Sequence, residues 1–171
     1  MLRFCTRFFE FNPHFKSPLT MSHQTVSSLK RVSASDLHSL LLSPNSSQVA
    51  VIDVRDDDHV GGHIKDSIHA PSSSLDYRIP QLIRELGDKK TVVFHCALSQ
   101  QRGPSAALKY LREREQKVEK GDVAQEGTEE GEQKEQEVCV LEKGFVGWQK
   151  LYGKDERVTE AYAEDIWVDH D

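Results

Sequence analysis

Cysteines are few in this chain, and its apolar segments are short. The 171 residues include three cysteines, Cys5, Cys96 and Cys139, at irregular spacing. An odd and low cysteine count excludes a disulfide-stapled secreted fold and favours a reducing compartment. Cysteines and histidines nowhere show the spacing of a zinc site, so we expect no bound metal. The longest apolar runs, at residues 49–52 and 91–94, are far too short to cross a bilayer.

Basic residues are fewer than acidic ones, 22 against 28. The net charge is -6, and the first 35 residues, with five basic side chains and one acidic side chain, provide no broad basic face. Such a face is needed to neutralise a phosphate backbone, so a nucleic-acid-binding protein is excluded. Residues 113–137 hold ten acidic and four basic side chains and almost no apolar ones. We predict a flexible acidic insertion at about 115–137, with contact to a partner as the alternative use of this segment.

The first 29 residues are predicted to be a flexible arm. They contain no uninterrupted apolar core of the kind found in secretory signals. Residues 1–20 are rich in aromatic and poor in acidic side chains, with Arg3 and Arg7 one helical turn apart. Mitochondrial import through this segment is therefore the alternative to a plain terminal arm. Without such import we expect the protein in the cytoplasm, with access to the nucleus.

Strands and helices alternate in the middle of the chain. Short runs rich in β-branched residues indicate buried strands at residues 49–54, 91–95 and 138–141. This alternation predicts an α/β fold with a central parallel sheet that is covered by helices on both faces. We predict one domain over residues 30–155, followed by a tail over residues 156–171.

Four helices are expected around these strands. Ser33 or Ser35 can cap the first helix, and apolar side chains at helical spacing mark the others. Proline is favoured in the first turn of a helix, and glycine is a common breaker at its boundaries. We therefore predict that the second, third and fourth helices begin at Pro80, Pro104 and Gly144.

The segment His95–Pro104, which reads HCALSQQRGP, carries the strongest chemical signal. A buried strand ends here, a loop follows, and a helix begins. Parallel α/β proteins place their chemistry at this carboxyl end of the strands. Loop amides and a helix N-terminus favour negative charge there, which stabilises the thiolate of Cys96. Arg102 returns to the same rim, where its planar guanidinium can hold two oxygens of a tetrahedral oxyanion.

We therefore predict a nucleophilic cysteine inside an oxyanion-binding loop. Cys96 is the predicted nucleophile and Arg102 the predicted oxyanion ligand. The Ser99 hydroxyl is predicted to help the thiolate leave in a second step. The alternative is a small buried cysteine beside a surface arginine. The backbone amides that complete the predicted cradle belong to Ala97, Leu98, Ser99, Gln100 and Gln101.

Four neighbouring side chains are assigned to structure rather than to chemistry. Adjacent residues of a strand point to opposite faces, so His95 is predicted to hold the loop instead of taking the proton of Cys96. Cys139 lies in a predicted core strand and is expected to be a buried structural thiol. Phe145 and Trp148 share one face of the last helix and are expected in the core.

Three segments resemble the motifs of rhodanese-like domains. Asp53-Val54-Arg55 and the following GHIKDSIHAP (residues 62–71) resemble the first motif, and KGFVGW (residues 143–148) resembles the closing one. With the cysteine loop, the match spans about residues 30–152. The chain is most similar to the small dual-specificity phosphatases of this fold and to the related arsenate reductases of fungi and plants. This resemblance implies that Asp53 and Arg55 tie loops together behind the nucleophile.

The resemblance also bears on the reaction. Sulfurtransferases of this fold usually have a loop one residue shorter, which argues against thiosulfate as the substrate. The loop here lacks the glutamate of the cell-cycle phosphatases, and the chain lacks the cysteine-rich zinc region of the plant relatives. No single general acid stands out, because the leaving group can take its proton from Asp56, Asp57, Asp58 or the substrate itself.

The favoured function is hydrolysis of phosphotyrosine and phosphoserine or phosphothreonine monoesters through a phosphocysteine intermediate, without a cofactor. The first alternative is arsenate reduction in the same loop, with glutathione or a glutaredoxin as the reductant. The expected substrate is accordingly a phosphoprotein or a small phosphate or arsenate oxyanion. A non-catalytic phosphoprotein-binding module and a thiosulfate sulfurtransferase are the remaining alternatives.

Overall fold

The computed structural model describes residues 25–119 and 136–167, and its centre is a parallel β-sheet. Five strands form this sheet in the order β1-β6-β5-β2-β4, and every neighbouring pair is parallel. Two further short strands pair with each other in a separate sheet. The strands are β1 (Lys30–Val32), β2 (Val49–Asp53), β3 (His63–Ile64), β4 (Ile68–His69), β5 (Thr91–His95), β6 (Glu137–Leu141) and β7 (Thr159–Glu160).

Four helices cover the two faces of the sheet, as predicted for an α/β fold. They are α1 (Ala34–Leu41), α2 (Leu75–Glu85), α3 (Arg102–Glu119) and α4 (Gly144–Tyr152). Helices α1 and α4 bury Leu37, Phe145 and Trp148 on one face, whereas α2 and α3 bury Ile79 and Tyr110 on the other. Both faces of the central strands are therefore apolar. Within residues 25–119 and 136–167, no helix is both long and apolar enough to span a membrane.

The predicted helix starts differ from the structure in one important case. Helix α1 is capped as predicted, because the Ser33 hydroxyl accepts the backbone N–H of Asp36 at 3.1 Å. Helix α2 begins at Leu75, so the prediction that Pro80 opens it is wrong. Leu75 and Ile79 extend the buried face of the helix by one turn, and this burial outweighs the single N–H that Pro80 lacks.

Helix α3 begins at Arg102 and is longer than predicted. Pro104 lies in its first turn, where a missing N–H has no intrahelical partner to lose. Its final residues are strong helix formers (Lys, Arg, Glu and Gln), so residues 115–119 of the predicted insertion are helical. Gln136 and Glu137 at the other end are also ordered, and residues 120–135 lie outside the described part of the chain.

The fold continues beyond the predicted domain boundary at residue 155. Strand β7 pairs in antiparallel orientation with β3, so that Thr159 lies opposite Ile64. The indole N–H of Trp167 donates to the carbonyl of Gly61 at 2.8 Å, and its ring meets Phe145 edge-on. The tail predicted over 156–171 is therefore packed on the domain at least to Trp167. Strands of two residues are too short to produce a recognisable sequence pattern, which is why the sequence did not indicate this packing.

The side chain of Gln136 links three elements of the fold just before β6. Its side-chain amide is buried and donates to the carbonyls of Leu86 at 2.7 Å and Lys89 at 2.9 Å. Its carbonyl oxygen accepts the Tyr110 hydroxyl at 2.9 Å. One side chain thus joins the end of α2, the middle of α3 and the start of β6. The Tyr110 hydroxyl is buried, and burial raises the pKa of Tyr110 to about 12.

We expect Gln136→Met to lower the free energy of unfolding by about 2–3 kcal/mol, because it leaves two carbonyls and a hydroxyl without their partner. Denaturant unfolding followed by circular dichroism measures the change. Gln116→Met is the matched control, since Gln116 is exposed on α3 and the same substitution there should change stability by less than about 0.5 kcal/mol. Equal effects of the two substitutions would contradict this role of Gln136.

Candidate active site

Cys96 lies where the sequence predicts the nucleophile, directly after β5 and six residues before α3 begins. The residue is 4% exposed, and the backbone N–H of Ser99 donates to its sulfur at 3.2 Å. Ser99 adopts a left-handed conformation with a φ of 53°, which turns the loop back over the sulfur. A backbone donor at this distance stabilises negative charge on the sulfur. The loop thus presents a backbone donor to the Cys96 sulfur.

The N-terminus of α4 holds the other side of the loop. The backbone N–H of Phe145 donates to the carbonyl of Cys96, and that of Val146 to the carbonyl of Ala97, both at 2.9 Å. Because a trans peptide places its N–H opposite its carbonyl, the N–H groups of Ala97 and Leu98 point away from α4. The closing motif that the sequence singles out is thus an anchor for the cysteine loop.

Gly144 is required for this close approach. Its φ is +55°, and a Cβ at this position would lie 2.4 Å from the carbonyl oxygen of Cys96 and 2.5 Å from that of Ala97. Any side chain would push α4 off the loop. On the opposite side of the loop, a Cβ on Gly103 would meet the Ser99 hydroxyl oxygen at 3.3 Å, so α3 also packs closely there.

A buried ion pair, formed by Asp53 at the end of β2 and Arg55, lies close to the cysteine loop. Arg55 Nη2 is 2.6 Å and Nε 2.9 Å from Asp53 Oδ2, and both residues are fully buried. The guanidinium also donates to the carbonyls of Gly62 at 2.8 Å and Val60 at 3.3 Å, and it lies 4.2 Å from the Phe145 ring. Arg55 thus ties β2, the turn at residues 60–62 and α4 together.

Electrostatics keep Asp53 ionised in this environment. Burial raises its pKa, but the neighbouring His95 and Arg55 more than offset that effect, and the net pKa of Asp53 lies below its usual value. Burial lowers the pKa of His95, and the charge of Asp53 partly offsets this effect. His95 Nδ1 is 3.4 Å from the carbonyl oxygen of Cys96, and Nε2 is 3.7 Å from Asp53 Oδ2. Neither nitrogen contacts the thiol.

Arg102 lies at the mouth of the loop and faces two carboxylates. Its Nη1 is 2.7 Å from Asp58 Oδ1, its Nη2 is 2.5 Å from Asp58 Oδ2, and Nη1 is also 3.0 Å from Asp56 Oδ2. The hydrogen bond to Asp58 is the main reason that the pKa of Arg102 is raised, and the same bond lowers the pKa of Asp58. Sequence reasoning missed this pairing, because the two residues are 44 positions apart.

The same geometry separates the three candidate proton donors. Asp56 and Asp58 contact Arg102, whereas Asp57 between them is exposed. Hydrogen bonds from Ser72, Ser73 and Arg102 lower the pKa of Asp56, with the Ser72 hydroxyl contributing most. Both carboxylates at the mouth are therefore ionised at neutral pH.

The remaining predicted residues divide between rim and core. Leu98 is 49% exposed, and Gln100 and Gln101 are exposed on the rim of the loop. Within the described ranges, the buried Ser99 hydroxyl has no hydrogen-bond partner, and the backbone N–H of this residue serves the sulfur instead. The prediction that Cys139 is a buried structural thiol is confirmed, and burial raises its pKa to about 11. Phe145 and Trp148 are core residues, as predicted.

We expect Gly144→Ala to destabilise the domain by at least about 2 kcal/mol and to displace the cysteine loop, since the new methyl group meets two carbonyl oxygens. Thermal unfolding and the rate of Cys96 alkylation measure the two effects. Gly87→Ala is the control, because a Cβ there meets its nearest atom at an ordinary 3.7 Å. Similar results for the two variants would show that α4 does not depend on this close approach.

Arg55→Lys is expected to lower the free energy of unfolding by about 2–4 kcal/mol, because an ammonium cannot hold Asp53 and two carbonyls at once. Arg157 forms the same Asp-x-Arg pair with Asp155 on the surface, so Arg157→Lys is a matched control for which we expect almost no change. Urea unfolding of both variants measures the two changes in stability. The role of the buried pair is contradicted if the two variants unfold at the same concentration.

The sequence matches a known domain family and several characterised relatives. Residues 33–151 match the model of the rhodanese-like domain. The chain is 33% identical to the CDC25-like phosphatase YCH1 of Saccharomyces cerevisiae, over 86% of this chain and 99% of the relative. It is 42% identical to arsenate reductase 2.1 of Oryza sativa, over 71% of this chain and 68% of the relative.

A solved structure shows the same fold. The structure of a yeast protein tyrosine phosphatase of the rhodanese family superposes with a TM-score of 0.61 at 33% identity, covering 81% of this chain and 96% of the other. The family match includes the cysteine loop, the strands that carry it and the α4 anchor. The chain therefore belongs to the rhodanese-like domain family.

Proposed function

We propose that the protein is a cysteine-dependent phosphatase that hydrolyses phosphate monoesters through a phosphocysteine intermediate. The observation that carries the proposal is the position of Cys96, whose sulfur accepts a backbone N–H at the carboxyl end of β5 in a loop that ends at Arg102. A thiolate, loop amides and a guanidinium together suit attack on phosphorus. Relatives over most of the chain are named phosphatases.

In the first proposed step the Cys96 thiolate attacks phosphorus, so an S–P bond forms and the P–O bond to the leaving group breaks. The leaving oxygen takes its proton from the phosphate itself, because Asp56 and Asp58 are ionised and have no proton to give. The amides of residues 97–102 and the Arg102 guanidinium hold the three remaining oxygens. Water then attacks phosphorus, the S–P bond breaks, and inorganic phosphate leaves with Cys96 again a thiolate. No cofactor is needed in either step.

Arsenate reduction is the second candidate, because one relative with 42% identity is named an arsenate reductase. Arsenate has nearly the shape and charge of phosphate, so the same loop would receive it. Reduction to arsenite consumes two electrons, and two molecules of glutathione supply them by forming one disulfide. Cys139 cannot serve as a second thiol at the loop, because it lies in β6 and packs into the core on the opposite face of the sheet from Cys96. The reductant in this proposal is therefore glutathione or a glutaredoxin.

The proposed substrate is a phosphoprotein or a small oxyanion ester that reaches the mouth beside Leu98, and the proposed location is the cytoplasm with access to the nucleus. An exposed apolar side chain next to the nucleophile offers a contact for the non-phosphate part of a substrate. A binding module without catalysis would keep oxyanion binding but show no turnover.

We expect purified protein to hydrolyse an aryl phosphate and Cys96→Ser to lose at least about a thousandfold in kcat, because a serine hydroxyl at this place has no base to activate it. Release of the aryl alcohol measures the rate. Cys139→Ala is the matched control and should retain activity within about threefold, since it removes a thiol that is buried away from the loop.

The outcomes separate the candidate functions. Turnover that persists in Cys96→Ser would overturn the thiolate mechanism. A folded protein without phosphatase activity that converts arsenate to arsenite with glutathione, in a reaction that depends on Cys96, would establish the second candidate. The absence of both activities in a protein that binds phosphate would leave the binding module.

A further inference from the structure

The Arg102 guanidinium is bound by Asp58 in the geometry that an oxyanion would use. Two parallel hydrogen bonds of 2.7 and 2.5 Å join Nη1 and Nη2 to the two oxygens of this carboxylate. A phosphate or arsenate group presents a pair of oxygens with similar separation to a guanidinium edge. The carboxylate and an oxyanion would therefore compete for the same pair of nitrogens.

The segment that carries Asp58 is held in place from both of its ends. Asp56 accepts the Ser72 hydroxyl at 2.5 Å and the backbone N–H of Ser73 at 2.9 Å, next to the start of α2. At the other end the ring of His59 stacks on His69, with 3.9 Å between the ring centres. Asp58 Oδ1 also accepts the backbone N–H of Asp56 at 2.9 Å. These contacts keep the segment, and with it Asp58, close to Arg102.

The charges at the mouth of the loop favour replacement of Asp58 by an oxyanion on Arg102. They disfavour binding of the oxyanion while Asp58 stays in place. Asp56 and Asp58 together carry two negative charges beside the single positive charge of Arg102. A dianionic oxyanion that approaches Arg102 is repelled while both carboxylates remain in contact. The Arg102 and Asp58 side chains are 34% and 40% exposed, so the pair can separate into water at a small cost. A fully buried pair would not have this freedom.

We propose that Asp58 is a specificity-determining residue that competes with the oxyanion for Arg102. Binding requires that the anion displace this carboxylate from Nη1 and Nη2. Anions that supply two oxygens and two charges, such as phosphate and arsenate, meet this requirement, whereas singly charged anions with one contact atom do not. The proposal deepens the proposed function, on which it rests for the assignment of Arg102 as the oxyanion ligand.

The test measures how inorganic phosphate protects Cys96 from alkylation by iodoacetamide, with the modified peptide quantified by mass spectrometry. The competition predicts that Asp58→Asn is half-protected at a phosphate concentration about tenfold lower than the wild-type protein, because an amide binds a guanidinium far more weakly than a carboxylate does. Asp58→Glu restores the carboxylate and should return protection close to that of the wild type.

Asp57→Asn is the matched control. It removes the same charge one residue away, but Asp57 is exposed, whereas Asp56 and Asp58 make the carboxylate contacts with Arg102. We expect its protection constant to stay within about twofold of the wild-type value, since an exposed charge acts through water and salt. A tenfold difference in the half-protecting phosphate concentration between the Asp58 and Asp57 variants thus arises from the direct contact with Arg102. It does not arise from the loss of one negative charge in the neighbourhood.

Three results would count against the proposal. If Asp58→Asn and Asp57→Asn are equal, Asp58 does not compete with the anion. If Asp58→Asn binds phosphate more weakly than the wild type, this carboxylate orients Arg102 for the anion instead of opposing it. Either result leaves Cys96-dependent hydrolysis, and so the proposed function, intact. If phosphate protects no variant, the oxyanion site itself fails, and the proposed function falls with the inference.

Discussion

The carboxylate of Asp53 and the guanidinium of Arg55 are both removed from water, and buried charges are stable only when their partners and hydrogen bonds are complete. Two carbonyls of the turn at residues 60–62 accept hydrogen bonds from this guanidinium, and the ring of Phe145 in α4 packs against it. Helix α4 in turn donates two backbone N–H groups to the cysteine loop. The shape of the loop therefore depends on an ion pair whose contacts do not include Cys96.

Three Asp–Arg pairs in this chain show how burial decides what an ion pair does. Asp53 and Arg55 are inaccessible to water, and separating them would leave two unpaired charges in the core. This pair therefore has a structural role. Asp155 and Arg157 have the same spacing but lie at the surface, where water screens their attraction. In the third pair, both side chains are partly exposed, Arg102 at 34% and Asp58 at 40%. Partial exposure makes the last pair strong enough to form and weak enough to exchange.

Much of the fold could be predicted from local patterns. The β-branched run Thr91–His95 is a strand with the predicted ends, because a strand buried on both faces must be apolar throughout. The order strand, loop, helix then places Cys96 at the carboxyl edge of the sheet. The start of α2 was not predictable from Pro80, since the burial of Leu75 and Ile79 depends on a neighbouring helix. The pairing of β3 with β7 joins segments almost a hundred residues apart and leaves no local pattern.

The fold class and the loop that runs from Cys96 to Arg102 could be predicted from the sequence, because each follows from residues that are close together in the chain. The groups that surround this loop depend on the tertiary structure. The donors from Phe145 and Val146, the full burial of Arg55 and the two carboxylates on Arg102 all come from other elements of the fold. Hydrogen bonds and charges act over a few ångströms of space, and distance along the chain does not report that proximity.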